Sequence, residues 1–187
     1  QAIVEQAKVG DTAAEKNPLD ELAEQLQQLL ASLETQGLIE FDQQDQFLIL
    51  RLLGHATFDS GKATIKPDMV PTLRAIGKLL GQTSQDVFVA GHTDNVPIRG
   101  GKYRSNLELS VARAASVIEF FVHEKLVAPQ KTATMGFGEY RPLVPNDSRA
   151  NRRKNRRVEI ILATMKSLPR DAAPFPLSTP FLLSPGR

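Results

Sequence analysis

The sequence contains no cysteine, which excludes disulfides, thiolate metal ligands, a cysteine nucleophile and an acylated N-terminal cysteine. It has no apolar run near the roughly 18–20 residues that a membrane-crossing helix needs. Its start, QAIVEQAKVGDTAAEKN, lacks the basic opening and apolar centre of a signal peptide. The chain as given is expected to be soluble. Because it begins with Gln, it is also expected to be a mature or cut-down piece, and its N-terminus does not disclose its location. No G-x-S-x-G motif occurs, His55, His92 and His123 show no metal-ligand spacing, and Gly100-Gly101 and Gly136-x-Gly138 do not form a phosphate loop. No catalytic residue, metal or cofactor is therefore expected. An excess of one charge is also missing, since 23 Lys and Arg stand against 21 Asp and Glu. Positive charge is local instead: RANRRKNRR, residues 149–157, holds six basic residues in nine positions.

What is present reads as one domain with extensions. Asn17-Pro18 is a helix start, with Asp20 and Glu21 at the positive end of the dipole. Leu19, Leu22, Leu26, Leu29 and Leu33 follow at spacings of three and four, and Gly37 stops the helix. Such a seam suits a dimer contact or packing on the helix's own domain, and spacing leaves both open. Strands are expected at 38–41, 47–53, 86–92, 131–138 and 157–164. One helix is expected from Pro67 to about Leu80. A second, with the Ser105/Glu108 capping box, should run to about Leu126 and bury Leu107, Val111, Ala115, Ile118 and Val122. The pattern is α/β, a two-layer sandwich with helices on one face if the sheet is mixed. Residues 166–187 hold five of the twelve prolines and read as a separate tail, although Phe175, Phe181, Leu182 and Leu183 are unusually apolar for a free end.

The densest chemistry lies in GHTDNVPIRGGKYRSNLELSVARA, residues 91–114. His92, Thr93 and Asp94 are consecutive. On an extended backbone His92 and Asp94 point one way and Thr93 the other, a poor geometry for a proton relay. Asp94 just past a strand and Arg113 on the next helix can instead face one groove floored by the helix start. A carboxylate and a guanidinium held apart suit a ligand carrying an ammonium and a carboxylate, such as a free amino-acid end. The alternative is that the two pair with each other or with neighbours. The basic run lacks interleaved aromatics, which argues against nucleic acid as partner.

GHTDN, SNLELSVARA, GFGEYRPLVPND and NRRKNRRVEI occur in the order and spacing of OmpA-like peptidoglycan-binding domains, and residues 47–163 resemble that family. Within it the sequence is most similar to the periplasmic domain of the flagellar motor stator B subunit, the MotB/PomB family, through NVPIRGGKYRSN, FDSGKATIKPD and GEYRPLVPNDS. The resemblance implies a βαβαβ-type sandwich with a mixed sheet over residues 38–165, an N-terminal linker helix within 1–37 and a proline-rich tail. It implies a periplasmic domain of an inner-membrane-anchored protein that grips diaminopimelate-type stem peptides of peptidoglycan without catalysis. Asp94 would meet the ammonium and Arg113 the carboxylate. Thr93, Asn106 and Leu109 would line the groove, with Asn155 and Arg156 or Arg157 at its other edge. It further implies a homodimer, and a stator A subunit met through a transmembrane segment upstream. A general envelope tether of the same fold, without motor function, is the alternative.

Overall fold

Strand Phe47–Leu53 (β2), FLILRLL, is buried almost throughout, so both of its faces meet protein. Leu48, Leu50 and Leu52 point to one side, Ile49 and Arg51 to the other. In the computed structural model, which describes residues 18–44, 47–99 and 101–163, β2 pairs antiparallel with Ile39–Gln44 (β1) and with Arg157–Ala163 (β5). Asp86–His92 (β3) lies antiparallel to β5 on its far side, and Thr132–Gly138 (β4) lies parallel to β3. The sheet order β1-β2-β5-β3-β4 puts the last of the described strands at the centre of a mixed sheet. The expectations for Asn17 and for the tail fall outside the described residues.

Three longer helices cover one face: Pro18–Thr35 (α1), Val70–Leu80 (α3) and Asn106–His123 (α4). Leu26 and Leu30 of α1, Leu73 and Ile76 of α3, and Val117 and Phe121 of α4 join the sheet's Leu50, Val89 and Ile160 in one cluster. Two further helices had no counterpart in the sequence reading. Gly54–Thr57 (α2) is a single turn, and Arg149–Asn155 (α5) is built from the basic run and capped by Ser148, which accepts from the Asn151 amide at 3.1 Å. Pro67 starts a 3-10 turn, Pro67–Met69, before α3 begins.

The buried face of α1 follows one of the two readings its spacing left open, and that of α4 is corrected. On α1 the residues buried in the protein's own core are Leu19, Leu22, Ala23, Leu26 and Leu30, while Leu29 is 45% exposed. This is the broad stripe of a helix lying on its own domain, and of the leucine seam Leu19, Leu22 and Leu26 are used in that packing while Leu29 faces outward. On α4 the buried positions are Asn106, Leu109, Ser110, Arg113, Ala114, Val117 and Phe121, whereas Leu107 and Val111 are 45% and 43% exposed. The cause is close approach. A Cβ at Gly91 would stand 2.0 Å from the Ser110 carbonyl oxygen, and one at Gly136 would stand 2.3 Å from a Val111 methyl. With no side chains there, the α4 backbone settles onto β3 and β4, and its small residues take the positions nearest the sheet. Ser105 caps the helix as expected, accepting from the Glu108 amide at 3.2 Å. The Glu108 carboxylate accepts from the Arg104 amide at 2.7 Å rather than from that of Ser105.

The packing of α1 makes a prediction. Leu26→Ala should cost about 3 kcal/mol in urea unfolding, as for a large-to-small change in a packed core. Leu29→Ala should stay within about 0.5 kcal/mol, as at an exposed position. Neither change should alter how the midpoint depends on protein concentration, and an altered dependence caused by Leu29→Ala would make Leu29 a dimer contact.

Candidate functional site

The ladder between β3 and β5 ends at His92 and Arg157, which are register partners, and beyond it the two chains diverge. Thr93 stays attached through its amide, which donates to the Gly138 carbonyl at 2.8 Å, and its hydroxyl donates to the Asp94 carbonyl at 2.9 Å. Asp94 then turns the chain, its Oδ1 accepting from the Val96 amide at 3.1 Å, the Asx geometry that Asp adopts in loops. Its Oδ2 is paired with the Arg156 guanidinium. The alternative to a ligand clamp is that Asp94 and Arg113 pair with each other or with neighbours: they do not pair with each other, and Asp94 does pair with a neighbour. The partner of Asp94 is Arg156.

Asn106, the first residue of α4, works as a staple. Its Nδ2 donates to the Glu139 carboxylate at 2.7 Å, to the Val96 carbonyl at 3.0 Å and to the Asp94 carbonyl at 3.3 Å. Two turns along, Arg113 is buried and donates from Nε to the Lys62 carbonyl at 2.9 Å and from Nη2 to the Asp59 carbonyl at 3.1 Å. The Phe58 ring lies 5.2 Å from its guanidinium carbon, close enough for cation–π attraction. Burial, followed by the neighbouring Arg156, pushes the Arg113 pKa down to about 10, with Tyr103 and Asp94 acting the other way. Arg113 is therefore still cationic at neutral pH. Its Nη1 makes no hydrogen bond among the described residues.

These parts enclose a groove of about 890 Å3 that brings together Thr93, Asp94, Asn106, Leu109, Arg113 and Arg156. The loop 59–64 supplies a further wall. Arg99 and Lys102 supply another. Five cationic side chains, Lys62, Arg99, Lys102, Arg113 and Arg156, line the groove against two carboxylates, Asp59 and Asp94. The excess favours a ligand of net negative charge that also carries a cationic group for Asp94. Both segments lie in motifs that carry the family resemblance, FDSGKATIKPD and NVPIRGGKYRSN, yet neither has a spacing that by itself announces a site.

Two expected groove residues stand elsewhere. Asn155 is fully buried. It accepts from the amides of Leu143 and Val144 at 2.8 and 3.0 Å and donates to the Val144 carbonyl and Asn146 Oδ1 at 2.8 Å. It holds the 143–146 loop instead of facing the groove. Arg157 is also buried, because the alternation of β5 turns it to the opposite side of the sheet from the helices, where its Nε donates to Glu159 at 2.8 Å. Glu159 also receives Arg51 at 3.2 Å and lies 3.4 Å from His92. His92 thus belongs to a buried network and stacks on Phe137 with ring centroids 5.3 Å apart. Burial, helped by Arg157, pushes the His92 imidazole pKa down. Burial alone would raise the Glu159 carboxyl. The His92 contact and the Arg157 guanidinium outweigh it and hold the group below the usual carboxylate range. The basic run is likewise tied inward, Arg152 donating to the Asn146 carbonyl at 2.9 Å and Arg153 to His55 at 3.3 Å.

Comparison with known proteins agrees with this geometry. The OmpA family profile matches residues 57–156, the stretch that contains every groove residue discussed above. Motility protein B of Bacillus subtilis is 32% identical over 162 residues, which cover 86% of this chain and 60% of that protein. The chain therefore spans less than two thirds of that relative. Among solved structures, the periplasmic domain of Helicobacter pylori MotB superposes with a TM-score of 0.63 at 31% identity, covering 68% of this chain and 82% of that one. The cell wall anchor of the type VI secretion system of Pseudomonas aeruginosa superposes with a TM-score of 0.69 at 29% identity, covering 74% and 96%.

The network behind the groove makes stability pH-dependent. The folded His92 pKa lies below its ordinary 6.5, so the unfolded chain takes up a proton below that pH that the folded chain does not, and stability falls as pH falls. His55, lowered by burial and by Arg153, Arg156 and Lys66, contributes with the same sign. Glu159 adds a second loss once pH drops below its ordinary 4.5, because the unfolded carboxyl protonates first. Melting temperature should therefore decline from pH 7 to 5 and more steeply below about 4.5. His92→Gln should flatten the upper part of the profile, and an unchanged slope between pH 7 and 5 would remove His92 from this role.

Proposed function

The chain belongs to the OmpA family, and on that footing we propose that its groove binds peptidoglycan non-covalently and serves as the cell-wall anchor of a flagellar motor stator. The observation that carries this reading is the placement of Asp94 and Arg113 in one groove, unpaired with each other and surrounded by a cationic excess. The free side-chain end of a diaminopimelate residue in a stem peptide carries an ammonium and a carboxylate on one carbon. Arg113, oriented by two backbone carbonyls and a phenyl ring, offers its remaining donors to the carboxylate. Asp94 takes the ammonium. Because Asp94 is already paired with Arg156, the incoming ammonium exchanges with that guanidinium, which turns to another ligand carboxylate. Leu109 and the Thr93 backbone form the floor.

On this reading the groove holds its ligand and does not hydrolyse it. The one histidine of the HTD triplet is buried on the far face of the sheet beside Glu159 and stands outside the groove lining. The motor assignment rests on the likeness to motility protein B and to the MotB periplasmic domain. It implies a periplasmic position and an upstream membrane segment that meets the stator A subunit. Among the described residues no helix is long and apolar enough to cross a membrane. Each groove exposes only a few charge-assisted contacts, so firm anchoring comes from linked sites on a continuous wall. Two copies of the chain provide such sites, joined through a surface other than the buried face of α1.

The test is co-sedimentation with purified, protein-free wall. Asp94→Ala and Arg113→Ala should each weaken binding by about thirtyfold, the equivalent of roughly 2 kcal/mol for a charge-assisted contact. Arg156→Ala should weaken it less, and free diaminopimelate should compete. Soluble muropeptides should not accumulate. Wild-type binding by both the Asp94 and the Arg113 variants would sink the proposal.

A further inference from the structure

The sheet has a second apolar face, opposite the three helices. Ile49, Ile161 and Phe88 stand side by side across β2, β5 and β3, flanked by Ala90 and Ala163. Ile49, Ile161 and Ala163 are 0% exposed and Phe88 is 4% exposed. Neighbours on a pleated sheet shield a side chain at its flanks, but only another layer, packed roughly 10 Å above, covers its tip. The helices bury their apolar residues in the other cluster. The partly buried apolar residues packed against this one, Phe47, Met135 and Phe137, belong to the sheet itself. The loop that reaches this side does so at the other end, where Arg141 lies 4.4 Å over Phe137 and its carbonyl accepts from Arg157 at 3.5 Å. Among the described residues no helix contributes to the cluster that holds the Ile49–Ile161–Phe88 row.

We propose that this face is the docking site of the chain's own C-terminal segment, residues 166–187. β5 ends at Ala163, which is itself part of the apolar row's surroundings, so the chain leaves the sheet at the end that needs cover. The 24 residues that follow Ala163, extended at about 3.1 Å each, far exceed the roughly 19 Å between the outer strands of a five-stranded sheet. Their composition fits the task. Residues 172–186, AAPFPLSTPFLLSPG, contain no charged side chain and carry Phe175, Leu177, Phe181, Leu182 and Leu183 between prolines. Such a segment is too apolar to be a solvated end. Proline removes backbone donors and keeps the chain extended, which suits lying across a face more than pairing at an edge. The other end of the chain enters α1, on the helix side of the sheet.

The chain has no tryptophan, so Phe181→Trp in the full chain is a lone reporter. Its emission should be blue-shifted and protected from acrylamide, and Phe88→Ala in the same background should reduce both effects. Truncation after residue 165 should lower the melting temperature by at least about 5 °C and create binding of a hydrophobic dye. Solvent-like emission from the introduced indole in the folded chain would overturn the proposal, as would an unchanged melting temperature on truncation. Shielding lost on dilution through a dimer-to-monomer transition would also overturn it, and would give the face to a second copy. Wall binding by the Asp94 and Arg113 variants is read separately, so either proposal can fail alone.

Discussion

The architecture depends on how closely α4 lies on the sheet. Gly91 and Gly136 leave no room for a β-carbon beneath the helix, and that contact fixes the helix rotation. With Ser110 and Ala114 toward the sheet, Asn106, Leu109 and Arg113 come inward and reach the ends of β3 and β5. A helix held farther off would turn Leu107 and Val111 to the core and carry Arg113 away from the 59–62 carbonyls that position it. The groove is therefore a consequence of backbone packing between two elements, and its residues occupy positions that in most helices belong to the core.

The groove also shows how a guanidinium is kept charged while buried. Desolvation disfavours the cation, and Arg113 answers it with two backbone carbonyls and an aromatic face, none of which carries a formal negative charge. A neutralising carboxylate would have removed its attraction for a carboxylate ligand. Asp94 is treated differently. It is already ion-paired with Arg156, which is partly in solvent and so able to yield. One end of the clamp is rigid and the other exchangeable.

A second charged assembly sits back to back with the first. Arg51, His92, Arg157 and Glu159 join the central strands on the other side of the sheet, one row below the residues that turn toward the groove. Strand alternation separates the two assemblies: Arg156 and Arg157 are adjacent in sequence, yet one lines the groove and the other lies buried. A basic run that looks uniform in sequence is thus divided among a short helix, a groove edge and an interior salt bridge.

Much of this was legible in the sequence. Periodicity and turn residues located all five strands and the three longer helices, because those depend on local backbone preference and on alternation along one element. Four motifs in order and spacing disclosed the OmpA-like domain. Asp94, Thr93, Asn106, Leu109, Arg113 and Arg156 were named from the sequence and do share one groove. Local pattern could not decide the rotation of α4, the partner of Asp94, the inward turn of Asn155 and Arg157, or the burial of the α1 leucines in their own domain. Each depends on which surface arrives from elsewhere in the chain: glycines on β3 and β4 for α4, a strand inserted at the sheet centre for Arg156 and Arg157, and α3 for α1. Residue types and spacing determined which chemistry the protein carries. Tertiary packing decided which of those residues line the groove, because burial is a property of the neighbours that packing supplies.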